Sequence, residues 1–71
     1  MESVIKIVSE YLEVKNVKPE SHLVDDLGAD DFDTLELIIK VEETLNIKIS
    51  DEEGSNIKTV QDLINVVQGN Q

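Results

Sequence analysis

The sequence predicts a small all-α fold: a four-helix bundle of three longer helices and one short helix, with a long first loop. Apolar residues recur at helical spacing in three separate segments, which is the main sign of amphipathic helices. The 71 residues are enough for one domain spanning residues 1–71. There is no cysteine and there are two aromatic residues, so helix faces rich in Val, Ile and Leu must supply the core.

The first helix is predicted over residues 3 to 13. Its apolar stripe uses the spacing expected of one helix face, and Ser3 is suited to the N-cap position. The many β-branched residues lower the intrinsic helix propensity, so this helix depends on tertiary packing. The stripe consists of Val4, Ile7, Val8, Tyr11 and Leu12.

The helical period fails between residues 14 and 30, where Pro19 and Gly28 interrupt it. A loop of this length is unusual in a compact domain. We expect Leu23, Val24 and Leu27 to hold the loop against the core.

Residues 31 to 45 give the strongest helical pattern. Asp30 precedes the pattern and is predicted as its N-cap, which makes Asp31 the first helical residue. Asn46 and its neighbours can end the helix. The apolar arc contains Phe32, Leu35, Leu37, Ile38, Ile39, Val41 and Leu45.

The remaining chain predicts a connector and two further helices. Residues 47–50 alternate like a strand but are too few to form a sheet, so they are interpreted as an extended connector that buries Ile47 or Ile49. A short helix follows, capped by Ser50 or Asp51. The last helix begins after Thr59, with an acid three residues later as in a capping box.

The charge is strongly negative, with 16 Asp and Glu against 6 Lys and Arg, a formal net charge of −10. This disfavours nucleic acid and anionic membranes, and favours basic protein partners or divalent cations. No apolar run approaches the roughly 20 residues of a membrane span. The N-terminal residues do not resemble a signal peptide, so cytoplasm is the expected location. Self-repulsion favours a monomer.

The sequence contains no catalytic set, and we expect a protein that is not an enzyme. His22 is the single histidine and has no cysteine to pair with. Several Asp residues surround the start of the 31–45 helix, but their spacing does not match a calcium-binding loop. Weak binding of a divalent cation therefore stays an open hypothesis, and no dedicated metal site is predicted.

The segment "DDLGADDFDTLELIIKVEE", residues 25–43, resembles the signature of acyl carrier proteins. The segment "ISDEEGSNIKTVQDLI", residues 49–64, resembles a second stretch of that family, with Ser50 where proline is usual. The resemblance covers nearly the whole chain. It implies a four-helix bundle that shuttles thioester-linked acyl chains between enzymes of fatty acid or lipid synthesis. It also implies that the 31–45 helix docks on basic surfaces of synthases and transferases.

The sequence departs from the family at Asp31. In the family this residue is a serine whose hydroxyl takes a 4′-phosphopantetheine arm, and a carboxylate offers no such hydroxyl. We therefore expect no cofactor and no acyl chain in this form, and 4′-phosphopantetheine only with serine at position 31. Asp31 is either an engineered replacement or the mark of a natural paralogue, and as a first-turn acid it also suits the positive helix end. These alternatives stay open, as does the pathway served.

The resemblance also assigns surfaces. Acids on the 31–45 helix are predicted to form an acidic strip for partner docking, interrupted by Lys40. An alternative function is an unloaded, carrier-like regulatory or structural protein that docks on basic partners. The predicted docking residues are Asp30, Asp33, Glu36, Glu42 and Glu43. The predicted lining of an acyl cavity, which could equally be ordinary core, is Phe32, Leu35, Ile39, Val41, Ile49, Ile57 and Leu63.

Overall fold

The computed structural model describes residues 2–70, and across them the chain forms four helices. Helix α1 spans Glu2–Leu12, α2 spans Asp31–Leu45, α3 spans Asp51–Ser55 and α4 spans Val60–Gly69. The predicted order of three longer helices and one short helix is confirmed. Helix α1 packs against both α2 and α4, so these three form the body of the bundle.

The core is aliphatic, as the composition requires. Its fully buried side chains come from every long helix and from the first loop, which contributes Leu23 at 1% exposure. The residues with no exposed surface are Val4, Val8, Leu37, Val41, Val60, Leu63 and Val67.

Three helices begin with a capping box. The N-caps are Asp30, Ser50 and Thr59, each paired with an acid three residues later. Asp30 and Thr59 are the predicted caps, and Ser50 is one of the two candidates for α3. A short polar side chain at this position satisfies N–H groups that the first helical turn leaves free. The prediction for Ser3 is wrong: α1 already begins at Glu2, so Ser3 lies inside its first turn.

The long first loop is ordered by hydrogen bonds to the segment before α4. The N–H of Leu23 donates to the carbonyl of Lys58 at 3.0 Å, and the N–H of Val60 donates to the carbonyl of Ser21 at 3.0 Å. This two-sided pairing, centred on His22 and Thr59, fixes the depth at which Leu23 enters the core. The loop therefore acts as a structural element despite lacking a helix.

The loop prediction for Val24 is wrong, because 54% of its surface is exposed while Leu23 is buried and Leu27 is half-buried. The chain turns sharply after Val24. Gly28 closes this turn with φ = 76°, a left-handed conformation that a glycine adopts without steric cost. The N–H groups of Gly28 and Ala29 donate back to the carbonyls of Val24 and Leu23.

Candidate functional site

The candidate site begins at the N-terminus of α2, where Asp31 is exposed. The capping box around it is made by its neighbours. The N–H of Asp33 donates to Oδ1 of Asp30 at 2.7 Å, and the N–H of Asp30 donates to Oδ2 of Asp33 at 3.5 Å. Asp31 takes no part in this capping box. The helix start therefore has its cap whatever residue stands at position 31.

An exposed apolar face runs outward along the first two turns of α2. Phe32, Leu35 and Ile39 are 67%, 55% and 38% exposed, whereas Leu37 and Val41 on the inner side are fully buried. The spacing i, i+3, i+7 places the three exposed side chains in one row. Helix α2 thus has a second apolar side whose residues remain partly or largely exposed.

The acids of α2 lie on two sides of this row, and of the predicted docking residues Glu42 lies on the side away from Asp33 and Glu36. Asp31 and Glu42 lie on the side of α3, where both border a groove. Asp33 and Glu36 are half-buried on the side of α1, near Tyr11. The reason is the helical rotation of about 100° per residue, which places positions 31 and 33 about 160° apart, on nearly opposite sides of the helix.

The hydroxyl of Tyr11 responds to the negative charge on the α1 side of α2. Partial burial, followed by the nearby carboxylates of Glu36, Asp33 and Asp30, raises the pKa of the Tyr11 hydroxyl above its ordinary value of 10.0. A negative tyrosinate is disfavoured where water is partly excluded and negative charge is already present. These three acids therefore act together on one point of the surface.

A groove of about 810 Å³ lies between α2, the first loop and α3. Its apolar wall includes four of the residues predicted for an acyl cavity: Leu35, Ile39, Ile49 and Ile57. The other three lie elsewhere. Phe32 is on the outer face of α2, and Val41 and Leu63 are fully buried in the core.

The far end of the groove is fixed by Glu42. Its Oε2 accepts a hydrogen bond from the N–H of Ile49 at 2.8 Å, which ties the connector before α3 to α2. Glu42 therefore holds the wall of the groove, and part of its hydrogen-bonding capacity is used within the fold. Glu43, its neighbour in the chain, is exposed.

Several groove residues have no counterpart among the sequence-based site predictions. His22, Val24 and Asp25 come from the first loop, and Gly54 and Lys58 come from the segment around α3. They meet only because residues 21–23 pair with residues 58–60. No periodicity or motif in the sequence indicates that pairing, although a long loop rich in apolar residues signals that it must pack somewhere.

Within residues 2–70 no group of three or more His, Asp or Glu side chains is arranged to hold a metal ion. None of the helices in this range is both long enough and apolar enough to cross a bilayer.

Comparisons with known proteins agree with this fold and site. Residues 2–67 match the phosphopantetheine attachment site family. An acyl carrier protein from Helicobacter hepaticus is 45% identical over 71 residues, covering 97% of this chain and 93% of the relative.

Two solved structures have the same fold. A Mycobacterium tuberculosis protein, solved as a candidate acyl carrier protein, gives a TM-score of 0.91 at 32% identity, covering 96% of this chain and 93% of the other. The acyl carrier protein of Thermotoga maritima gives 0.81 at 31% identity, covering 96% and 81%. With the motif, the bundle and the family match in agreement, this chain belongs to the acyl carrier protein family.

Proposed function

We propose that this chain docks on the synthase and transferase enzymes of fatty acid or lipid synthesis as an acyl carrier protein that cannot be loaded. The observation that carries the proposal is Asp31, exposed at the first residue of α2 inside an otherwise matching motif. A serine there would accept the phosphopantetheine arm that holds acyl thioesters. The carboxylate of Asp31 has no hydroxyl for that bond, so the residues at this position do not fit the arm.

The docking half of the proposal rests on α2. Its exposed apolar row is bordered by carboxylates on both sides, the arrangement expected of a surface that meets a basic partner. Complementary charge chiefly raises association rates and orients the encounter. That suits a small monomer that visits several enzymes and leaves each one.

The acids of α2 are not equivalent in this role. The carboxylates of Asp30 and Asp33 are used in the capping box, and that of Glu42 is bonded to the connector. Replacing any of these would disturb the fold as well as docking. Glu36 and Glu43 have no capping role, so they are the residues on which docking is best tested.

The loading half is tested by mass spectrometry. Asp31→Ser, Asp31→Asn and the unaltered chain are incubated with coenzyme A and several phosphopantetheinyl transferases. We expect Asp31→Ser to gain the mass of one phosphopantetheine group and the other two to gain none. Asp31→Asn is the matched control, because it removes the charge without supplying a hydroxyl. A mass gain on the unaltered chain would refute the proposed lack of loading.

If Asp31→Ser is folded and gains no mass with any transferase, the scaffold is not a disabled carrier. The chain would then be a regulatory docking protein of the same family, the second candidate function. Its exposed Asp31, which the capping box does not need, is the observation that favours this alternative.

The docking half is tested by association kinetics. We expect Glu36→Lys to slow binding to a partner synthase or transferase by about tenfold at low salt, with unchanged helicity. Glu20→Lys is the control, since it makes the same change of charge at an exposed site in the first loop. Equal effects of the two substitutions would mean that net charge, and not the surface of α2, governs the association.

A further inference from the structure

We propose that the groove beside α2 receives an apolar side chain from a basic amphipathic helix of a partner protein, which lies along the exposed row of α2. The inference rests on the proposed function, because a loaded carrier would have its own acyl chain for the same space.

The shape of the exposed surface argues for a helix as the occupant. Phe32, Leu35 and Ile39 span two helical turns at spacing i, i+3, i+7, which is the seam on which a second helix packs. Leu35 and Ile39 belong both to this row and to the groove wall. A helix lying on the row would therefore pass directly over the groove opening.

The interior of the groove accepts an apolar group. Ile49 and Ile57 are 9% and 5% exposed, and they form the inner wall of the groove together with the buried residue Leu23. Its volume of about 810 Å³ lies within the range of roughly 300–1,000 Å³ typical of ligand pockets. One large aliphatic or aromatic side chain would therefore fit, with neighbouring apolar groups covering the opening.

The charges around the groove select a basic partner. Four carboxylates border it, those of Asp25, Asp31, Glu42 and Asp51, against the single ammonium group of Lys58 and the imidazole of His22. A free fatty acid would bring a further negative charge into this field. A second copy of the chain would bring a net charge of −10 to an equal charge. Lysine or arginine residues flanking the apolar anchor would instead meet opposite charge.

Gly54 offers a way to close the groove without altering the charges or the exposed row. It lies in α3 at the groove wall, and a Cβ placed on it would be 3.4 Å from Cδ1 of Ile38. Gly54→Ala therefore adds a methyl group in ordinary contact. Gly54→Leu extends a branched side chain from the same point and occupies the space proposed for the partner.

The experiment uses the full chain and two synthetic peptides in an NMR titration at physiological salt. One peptide is a lysine-rich amphipathic helix of eighteen residues with leucine on one face. The other has the same composition in scrambled order. We expect saturable one-to-one binding of the first, with the largest shifts at Ile39, Ile49 and Ile57, and at least tenfold weaker binding of the scrambled peptide.

Variants of the groove distinguish insertion of a peptide side chain into the groove from electrostatic attraction to the surface around it. Gly54→Leu should weaken binding about tenfold, while Gly54→Ala should bind as the unaltered chain does. Val24→Ser, at an exposed groove position outside the row, provides a second groove variant if Gly54→Leu fails to fold, and it should weaken binding similarly. Equal binding of both peptides, or full affinity in the folded groove variants, would overturn the inference.

Two other occupants would also overturn it. Preferential binding of decanoate in the groove would assign the space to free acyl chains, and a dimer in sedimentation would assign it to a second copy. Because the peptide titration reports on the groove and the mass experiment reports on residue 31, failure of one is distinguishable from failure of the other.

Discussion

Replacing Asp31 by serine should leave the stability of the fold nearly unchanged. The capping hydrogen bonds at the start of α2 join Asp30 and Asp33, and Asp31 is exposed between them. The substitution therefore breaks no hydrogen bond of the capping box. It removes one negative charge from the positive end of the helix, and it also removes the repulsion of that charge by its two neighbours.

The two effects oppose each other. The attraction of a first-turn carboxylate to the helix dipole amounts to about 0.3–1 kcal/mol. Repulsion among exposed carboxylates is of comparable size at low salt and is screened as salt is added. The free energy of unfolding should therefore change by less than about 1 kcal/mol. Asp30→Ala, which removes a capping oxygen, should lower it by about 0.5–2 kcal/mol.

Urea and thermal unfolding of the three proteins, at low and moderate salt, would measure these differences. In a domain of this size, 1 kcal/mol corresponds to a shift in Tm of about 4–8 °C. A loss above about 2 kcal/mol for Asp31→Ser, together with an unchanged Asp30→Ala, would show that the carboxylate of Asp31 holds the helix start. The reasoning that makes residue 31 free for function would then be wrong.

Two titrations test the electrostatics of the fold. Hydrogen bonds from the backbone N–H groups of Lys58 and then Thr59 lower the pKa of Asp62 below its ordinary value of 3.8. The ionised carboxylate therefore stabilises the fold fully above pH 3.8, and this stabilisation is lost as the pH falls through the lower pKa of the folded protein. The destabilisation caused by Asp62→Asn, measured by urea unfolding, should accordingly be largest at neutral pH and shrink below pH 3.8; a constant difference would contradict this assignment. Ultraviolet titration of Tyr11, the single tyrosine, should show its pKa falling toward 10.0 in Glu36→Gln but not in Glu43→Gln, and equal shifts in both would refute the assigned neighbours.

Local patterns in the sequence determined most of the secondary structure. The start and end of α2, at Asp31 and Leu45, and the capping boxes at Ser50 and Thr59 follow from short-range chemistry. A cap is a contact between residues three apart, so the residues that make it are adjacent in the sequence. The family motif around residue 31 is equally local.

The division of the α2 acids could also have been derived from the sequence, since it follows from helix geometry. Positions 31 and 42 fall on one side of the helix and positions 33 and 36 on the other. What the helix alone does not indicate is which side faces α1 and which borders the groove. That depends on which apolar arc is buried, and α2 has apolar residues on both its inner and outer sides.

The sequence by itself determined the helices, the caps of α2 and α4, the acidic balance and the aspartate at the attachment position of a carrier motif. Tertiary structure alone decided that Leu23 enters the core while Val24 remains outside, that Val41 and Leu63 are core residues, and that a groove lies beside Asp31. The physical reason is the range of the contacts. Pairing of residues 21–23 with 58–60 closes a loop of more than thirty residues, and its partners are chosen by packing, which leaves no periodic trace in the chain.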